Sequence, residues 1–178
     1  MAKILALYGD SGCGKSTIAE MLAPEYKIFS FCTQIRKLVA SKISGAPQHY
    51  LDENTYHITP DKDWEANSGF HELLLSITKE ERAEAFKKSL QILDSFENLE
   101  GYIVIPDVRT DDEYYNLYFN PDARFCRIWN ENCARKKSSL DGLLNDKHFD
   151  YHIDNNGSLS DLANSVESIK ISHQTENN

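Results

Sequence analysis

Two patterns of apolar residues, one typical of strands and one of helices, alternate along the chain. Residues 3–8 form a continuous apolar run, which is typical of a parallel strand buried on both faces of a sheet. Similar short runs predict strands at residues 27–31, 101–109, 123–129 and 151–154. Helices are expected between them, at residues 16–22, 34–43, 71–77, 78–96, 111–119, 131–146 and 158–169. This alternation favours an α/β fold with a five-stranded, mainly parallel sheet and helices on both faces.

Two of the predicted helices begin with a capping box, in which a threonine and a glutamate three residues later bond each other's backbone N–H groups. The pairs are Thr78 with Glu81 and Thr110 with Glu113. Asp111 adds negative charge to the first turn of the second helix, where the helix dipole favours it. We therefore interpret these acidic residues as helix-stabilising.

Residues 44–69 show neither the apolar pattern of a strand nor that of a helix. The stretch is polar and rich in turn-forming residues, and a long irregular stretch in a compact domain is more often functional than decorative. The aromatic side chains in and beside it are Tyr50, Tyr56, His57, Trp64 and Phe70. These rings could stack on a nucleic-acid base or could form a small satellite core. We expect this stretch to be an insertion that helps to select the substrate.

The composition is that of a single globular domain. The chain has 178 residues, of which 40% are hydrophobic, and this suits one domain over residues 1–170 with a frayed tail over 171–178. No apolar run approaches the roughly 20 residues that cross a bilayer, and the N-terminus lacks the features of a secretory signal. A cytoplasmic protein without membrane contact is expected.

The charge is distributed unevenly. The formal net charge of −9 works against a broad surface for nucleic acid. Residues 122–148 nevertheless contain six Lys or Arg residues against four Asp or Glu residues. A small basic segment on an acidic body suits the local gripping of phosphate groups.

Residues 9–17 match the P-loop pattern in full, and they lie between an apolar strand and a helix as the pattern requires. Glycines let backbone N–H groups turn toward phosphates, and the helix N-terminus adds a favourable field. Lys15 should reach the β- and γ-phosphates of ATP, Ser16 should hold Mg²⁺, and Thr17 should lie near the α-phosphate. The predicted nucleotide-binding residues are Gly9, Ser11, Gly12, Cys13, Gly14, Lys15, Ser16 and Thr17. The predicted cofactors are ATP and Mg²⁺, and the predicted architecture is a three-layer P-loop NTPase fold.

Cysteines and histidines give no clear sign of a protein-bound metal. The spacing of Cys13, Cys32, Cys126 and Cys133 favours reduced, mostly buried thiols. His148 and His152 lack a clear third ligand, and we interpret them as ordinary histidines. Mg²⁺ carried by the nucleotide is the metal we expect.

A polar pair follows the predicted third strand. Asp107 has a Walker-B-like position, where a carboxylate holds Mg²⁺ through water or orients an acceptor. A helix cap or a salt-bridged aspartate is the alternative. Arg109 could grip a phosphate through two parallel hydrogen bonds. Ligands of such sheets lie beyond the carboxyl ends of the strands, and that rule places Ser30 and Trp129 along the same edge.

Basic side chains are the remaining candidates. If residues 130–147 form a lid over the triphosphate, one of them neutralises the transferring group, and Arg135 is our first choice. The basic residues of this segment are Arg124, Arg127, Arg135, Lys136 and Lys137. A solvated helix face is the alternative for each. We also assign Ser30 and Arg36 to acceptor binding, although Arg36 could equally be a surface residue.

Four stretches together resemble the phage-type deoxynucleoside monophosphate kinases, over roughly residues 3–165: GDSGCGKST, FSF followed by a helix, IPDVRTDDE and DYHIDNNGSLSDL. In this resemblance Asp107 and Arg109 match the family's DVR pair, Glu113 matches its glutamate, and Asp112 stands where asparagine is usual. The turn of Asn155, Asn156 and Gly157 matches one that lies near the nucleotide base in related kinases. The resemblance thus implies that Asn155 and Asn156 bind nucleotide. It also implies a location in the host cytoplasm if the protein is phage-encoded.

The resemblance leaves two acceptors open, because residues 44–69 match no substrate motif and no histidine-serine-glutamate lid signature is found. A deoxynucleoside monophosphate brings an anionic nucleophile and needs arginine clamps. A related group of phage kinases phosphorylates 5-hydroxymethyluracil in DNA, which would need a base such as Asp107 and a groove for the DNA backbone. The acidic net charge favours the monophosphate.

A non-catalytic switch module that binds nucleotide is a hypothesis of another class. The chain has no obvious effector domain, and the pair of Asp107 and Arg109 would have no purpose in such a module. The sequence leaves the oligomeric state open, with a homodimer as one candidate.

Overall fold

A computed structural model describes residues 2–96, 100–133 and 147–175. Within these ranges the strands are β1 (Lys3–Tyr8), β2 (Tyr26–Ile28), β3 (Tyr102–Ile105), β4 (Ala123–Trp129) and β5 (Tyr151–Asp154). They form one sheet in the order β2-β3-β1-β4-β5, and every pair of neighbours is parallel. The predicted five-stranded α/β fold is confirmed.

The helices of the described ranges lie between and after the strands, and five of them lie in the single connection between β2 and β3. They are α1 (Lys15–Leu22), α2 (Cys32–Ser41), α3 (Gln48–Leu51), α4 (Lys62–Asn67), α5 (Phe70–Ser76), α6 (Lys79–Ser95), α7 (Asp111–Tyr118) and α8 (Leu159–Thr175). None of them combines the length and the apolar character that a membrane crossing requires.

The chain divides into two compact units. The first consists of Met1–Ile28 and Asn98–Asn178 and holds the sheet with α1, α7 and α8. The second consists of Phe29–Glu97 and holds α2 to α6.

In the first unit, helices cover both faces of the sheet because successive side chains of a strand point to opposite faces. One face packs on α1 and α8 in a core that contains Leu5, Leu7, Ile18, Leu22, Cys126, Ile128, Leu162 and Val166. On the other face, the ring of Phe125 lies 4.5 Å from the ring of Tyr114, which belongs to α7. The continuous apolar character of β1 is explained by burial on both sides.

Two strands end earlier than their sequence patterns predict. Strand β2 ends at Ile28, and the aromatic side chains of Phe29 and Phe31 pack edge to face at 5.6 Å within the second unit. Strand β3 ends at Ile105, because the next residue, Pro106, has no N–H group for the ladder. Asp107 therefore lies in the turn after the strand and not at its end.

Residues 44–69 contain two short helices, α3 and α4, where we expected irregular chain. Tyr50 and Phe70 are fully buried in a core with α2, and the ring of Trp64 lies 4.7 Å from that of Tyr50. Of the two interpretations of these aromatic residues, the satellite core is the one that the structure shows. A role of this stretch in selecting the substrate stays a prediction.

The starts of α6 and α7 agree with the sequence prediction, and the end of α8 does not. Both predicted capping boxes are present, at Thr78 and at Thr110. Helix α8 continues to Thr175, five residues into the segment we expected to fray, because Nδ1 of the buried His173 lies 2.8 Å from the hydroxyl of Tyr26. Residues 176–178 and most of the predicted lid, 134–146, lie outside the described residues.

Candidate functional site

The loop between β1 and α1 depends on its glycines. A Cβ atom on Gly9 would lie 2.5 Å from the carbonyl oxygen of Ile128 in β4, so only glycine lets the loop begin this close to the neighbouring strand. Gly12 and Gly14 have φ angles of +82° and +105°, which side chains disfavour. The glycine pattern therefore specifies a loop that turns tightly across the end of β1.

Helix α1 begins at this loop with its first turn open. Its N-cap is Gly14, and among the described residues no side chain caps the helix and no acidic residue lies in its first turn. The first N–H groups of a helix have no partner inside it, and together they favour an anion. The start of α1 thus has the polarity of a phosphate-binding site.

The ammonium group of Lys15 is held against the loop. Lys15 is 7% exposed, and its Nζ donates hydrogen bonds to the carbonyl oxygens of Gly9 at 2.5 Å and Asp10 at 2.8 Å. These carbonyl groups offset the cost of burying the cation. A phosphate at the loop would be a stronger partner, because a hydrogen bond between two charged groups is stronger than one to a carbonyl.

The cysteine of the loop is a poor nucleophile. Burial raises the pKa of the Cys13 thiol, and the nearby Lys15 opposes this only in part. Burial also raises the pKa of Cys126 to about 12. Both thiols pack in the core below the loop. The structure gives Cys13 the place of a packing residue, where the effect of burial on its pKa outweighs that of Lys15.

Asp107 lies beside the loop along the same edge of the sheet. Ile105, the last residue of β3, pairs with Ala6 of β1, so the chain after β3 leaves the sheet next to the start of the loop. Asp107 is 7% exposed. A buried carboxylate is costly and is usually kept for a partner or a function.

Glu113 shapes the turn that carries Arg109. Its carboxylate accepts hydrogen bonds from the backbone N–H groups of Arg109 at 2.7 Å and Thr110 at 3.0 Å. Burial raises the pKa of Glu113, and the charge of Asp107 adds to the effect. Within the described chain no hydrogen bond or ion pair is recorded for the Arg109 guanidinium, which is partly exposed. Glu113 therefore supports the turn and leaves the side chain of Arg109 available.

The turn after β5 contacts the loop directly. The side-chain amide of Asn155 donates a hydrogen bond to the carbonyl oxygen of Cys13 at 2.8 Å. The side chain of Asn156 instead accepts one from the backbone N–H of Glu131 at 2.9 Å. Sequence reasoning missed the bond of Asn155, because no local pattern connects residues that lie 142 positions apart.

Ser30 and Arg36 lie in the second unit. Ser30 is buried, and its backbone N–H donates to the carbonyl oxygen of Tyr56 at 3.0 Å. Arg36 forms an ion pair with the buried carboxylate of Glu65, which also accepts a hydrogen bond from the hydroxyl of Tyr50 at 2.6 Å. Their roles in acceptor binding stay predictions.

The other residues that we predicted for the site differ in their exposure to solvent. Ser16 is exposed on the first turn of α1 and Thr17 is half-buried beside it. Ser11 and Gly12 are exposed on the loop. Arg135 lies outside the described residues. The structure thus brings together the loop, Lys15 and Asn155, with the turn of Asp107 and Arg109 on the adjacent strand.

In this parallel sheet, the loop between the first strand and the first helix has the pattern Gly9-x4-Gly14-Lys15-Ser16, which is the arrangement of a P-loop NTPase fold. No protein-family model and no curated protein sequence matches the chain. Among solved structures, it is similar to a dephospho-CoA kinase from Campylobacter jejuni, with a TM-score of 0.55 and 18% identity over 100% of both chains. A sugar kinase from Janibacter sp. HTCC2649 is also similar, with a TM-score of 0.53 and 12% identity over 98% of this chain and 95% of the other. At these identities the similarity concerns the fold alone.

Proposed function

We propose that the protein is an ATP-dependent kinase that transfers the γ-phosphoryl group to a deoxynucleoside monophosphate. The observation that carries this proposal is the glycine loop with the buried Lys15 and the open first turn of α1. The two similar structures are a dephospho-CoA kinase and a sugar kinase, which is consistent with a small-molecule acceptor.

The donor half of the site would hold ATP with Mg²⁺. The backbone N–H groups of the loop and of the first turn of α1 would bind the phosphates, and Lys15 would pair with the β- and γ-phosphates. The hydroxyl of Ser16 and the carboxylate of Asp107 are hard oxygen donors, the type that Mg²⁺ prefers. When bound, the metal ion would neutralise charge on the transferring phosphoryl group.

The acceptor half would depend on Arg109. Glu113 fixes its backbone, so the guanidinium extends from a defined turn and can bind a phosphate through two parallel hydrogen bonds. A monophosphate oxygen is already anionic at neutral pH and needs no general base. The available guanidinium also favours a kinase over a nucleotide switch, in which Arg109 would have no acceptor to bind.

The structure weakens one argument for DNA as the acceptor. That alternative relied on aromatic side chains near residues 50–70 that could stack on bases, and Tyr50 and Phe70 are fully buried. The acidic net charge of −9 remains unfavourable for a DNA groove. We therefore propose the free monophosphate and keep DNA as an outcome of the test.

The test is a transfer assay with γ-labelled ATP and a panel of acceptors. The panel contains the deoxynucleoside monophosphates, dephospho-CoA, a set of sugars and DNA that contains 5-hydroxymethyluracil. We expect label in one or more deoxynucleoside diphosphates. Label only in the DNA, or only in another acceptor, would contradict the proposed substrate. ATP binding without transfer to water or to any acceptor would support the switch and contradict the kinase.

A further inference from the structure

Asn155 follows β5 and is held in one position by residues at the end of β4. Its backbone N–H donates to the carbonyl oxygen of Trp129, the last residue of β4, at 2.8 Å. Its own carbonyl oxygen accepts a hydrogen bond from the side-chain amide of Asn130. The backbone of Asn155 is therefore anchored on both sides of its Cα atom, by the last residue of β4 and by the residue that follows it.

The side chain of Asn155 packs against the loop as closely as the chain allows. A Cβ atom on Gly14 would lie 2.5 Å from the Nδ2 atom of Asn155, so the amide group occupies the space that a side chain on Gly14 would need. The same Nδ2 atom donates to the carbonyl oxygen of Cys13 at 2.8 Å. The amide thus grips the peptide group that joins Cys13 to Gly14.

Holding this carbonyl group fixes the direction of an N–H group. The peptide bond is planar and trans, so its C=O and N–H groups point in opposite directions. Because the carbonyl of Cys13 points to Asn155, the N–H of Gly14 points away from Asn155. Gly14 has a φ angle of +105°, and glycine also populates negative φ at little cost, so this peptide group could rotate if nothing held it.

We propose that Asn155 is a positioning residue that fixes the Cys13–Gly14 peptide group and so aims the N–H of Gly14 at the phosphates of the bound nucleotide. The proposal rests on the proposed function, since it assigns a role within the same phosphate site. It differs from a contact with the nucleotide base, the role that the resemblance implies for this turn. Asn155 acts through the loop and needs no contact with the ligand.

The experiment compares two ligands that share phosphates but not a base. Equilibrium binding of Mg²⁺-ATP and of inorganic tripolyphosphate with Mg²⁺ is measured for the wild type, Asn155→Ala and Asn155→Asp. The aspartate has nearly the same shape, but its carboxylate cannot donate a hydrogen bond to the Cys13 carbonyl. We expect Asn155→Ala to lose about 10-fold in affinity for both ligands, the size of effect that a misdirected hydrogen bond to a charged group produces. Asn155→Asp should lose at least as much, because it also places a negative charge near the phosphates.

Matched controls come from Asn116, whose side-chain amide donates to the carbonyl oxygen of Asp112 on α7 at 2.7 Å. Asn116→Ala and Asn116→Asp should leave both affinities unchanged. Thermal unfolding of all variants, with the affinities measured well below each midpoint, separates loop positioning from a general loss of stability.

Each other outcome has a distinct meaning. A loss of ATP affinity with unchanged tripolyphosphate affinity would overturn the positioning role in favour of a base contact. Unchanged affinity for both ligands would also overturn it, while the proposed kinase would stand. A wild-type protein that binds neither ligand would contradict the proposed function itself, and the positioning role with it.

Discussion

Helices α1 and α7 begin at the same edge of the sheet, after the adjacent strands β1 and β3, but their first turns are built in opposite ways. At α7, Thr110 and Glu113 bond each other's backbone N–H groups, and the first turn contains three acidic residues. At α1, the N-cap is Gly14, and the described residues supply neither a side-chain cap nor an acidic residue in the first turn. The first helix turn of α7 thus has its own side-chain partners, whereas the first turn of α1 has N–H groups that would favour an anion.

This difference agrees with the sequence-based interpretation of the two helix starts, in which the acidic residues stabilise α7 and the glycine loop before α1 binds a ligand. The acidic residues after PDVR stabilise a helix, and Glu113 also fixes the turn of Arg109. The glycines before α1 cost conformational entropy and leave backbone groups without caps, which a stable fold tolerates where a ligand supplies the missing partners. The contrast therefore points to the start of α1 as the binding site and to the start of α7 as its support.

Removing the cation at α1 should have the largest effect. Lys15→Ala is expected to lower phosphoryl transfer by about 10³-fold, because a preorganised charge next to the phosphates is lost. Lys15→Met keeps the aliphatic stem that fills the buried space and should show the same loss. The assay is transfer from labelled ATP, with circular dichroism to confirm that both variants are folded. Full activity in a folded Lys15 variant would contradict the assignment of the loop.

Removing the cap at α7 should change stability and leave binding alone. Thr110→Ala is expected to cost about 1 kcal/mol in the free energy of unfolding, because the backbone N–H of Glu113 loses its acceptor. The affinity for Mg²⁺-ATP should stay at the wild-type value. Denaturant unfolding and equilibrium binding measure the two quantities, and Thr78→Ala at the start of α6 is the matched capping-box control. A large loss of ATP affinity in Thr110→Ala alone would break the contrast between the two helices.

The smallest expected effect is a pH dependence from Glu113. Its pKa is raised above the ordinary value of 4.5, so the folded state binds this proton more tightly than the unfolded state does. The contribution of Glu113 to stability is therefore largest below about pH 4.5 and is lost as the pH rises through the folded-state pKa. Relative to Glu113→Gln, the wild type should lose stability over that window in denaturant unfolding at a series of pH values.

The matching glutamate of α6 should behave in the opposite sense. The hydrogen bond from Lys42 lowers the pKa of Glu81, so its contribution is present above pH 4.5 and is lost as the pH falls through the folded-state pKa. Glu81→Gln is thus the control for the direction in which stability changes with pH. Equal slopes for the two substitutions would contradict the burial of Glu113 as the cause.

The parts of the fold that could be predicted are those that local sequence patterns specify. The apolar run of β1, the P-loop glycines and both capping boxes depend on residues within a few positions of each other, and all are present. The edge that holds Asp107 follows from a general rule for parallel sheets, whereas the strand order β2-β3-β1-β4-β5 was not predicted.

The parts that could not be predicted depend on residues far apart in the chain. The bond between Asn155 and Cys13 and the ion pair between Arg36 and Glu65 have no local signal, because each joins separate elements. The stop of β2 at Ile28 is set by packing of the following aromatic residues in the second unit and not by β-propensity.

Hydrogen exchange with and without Mg²⁺-ATP tests the central claim most directly, because it reports on the backbone N–H groups of both helix starts in one experiment. Addition of Mg²⁺-ATP should slow exchange in peptides that cover residues 10–17 and leave peptides that cover the first turn of α7 unchanged. Protection at the start of α7 with none at the start of α1 would contradict the account.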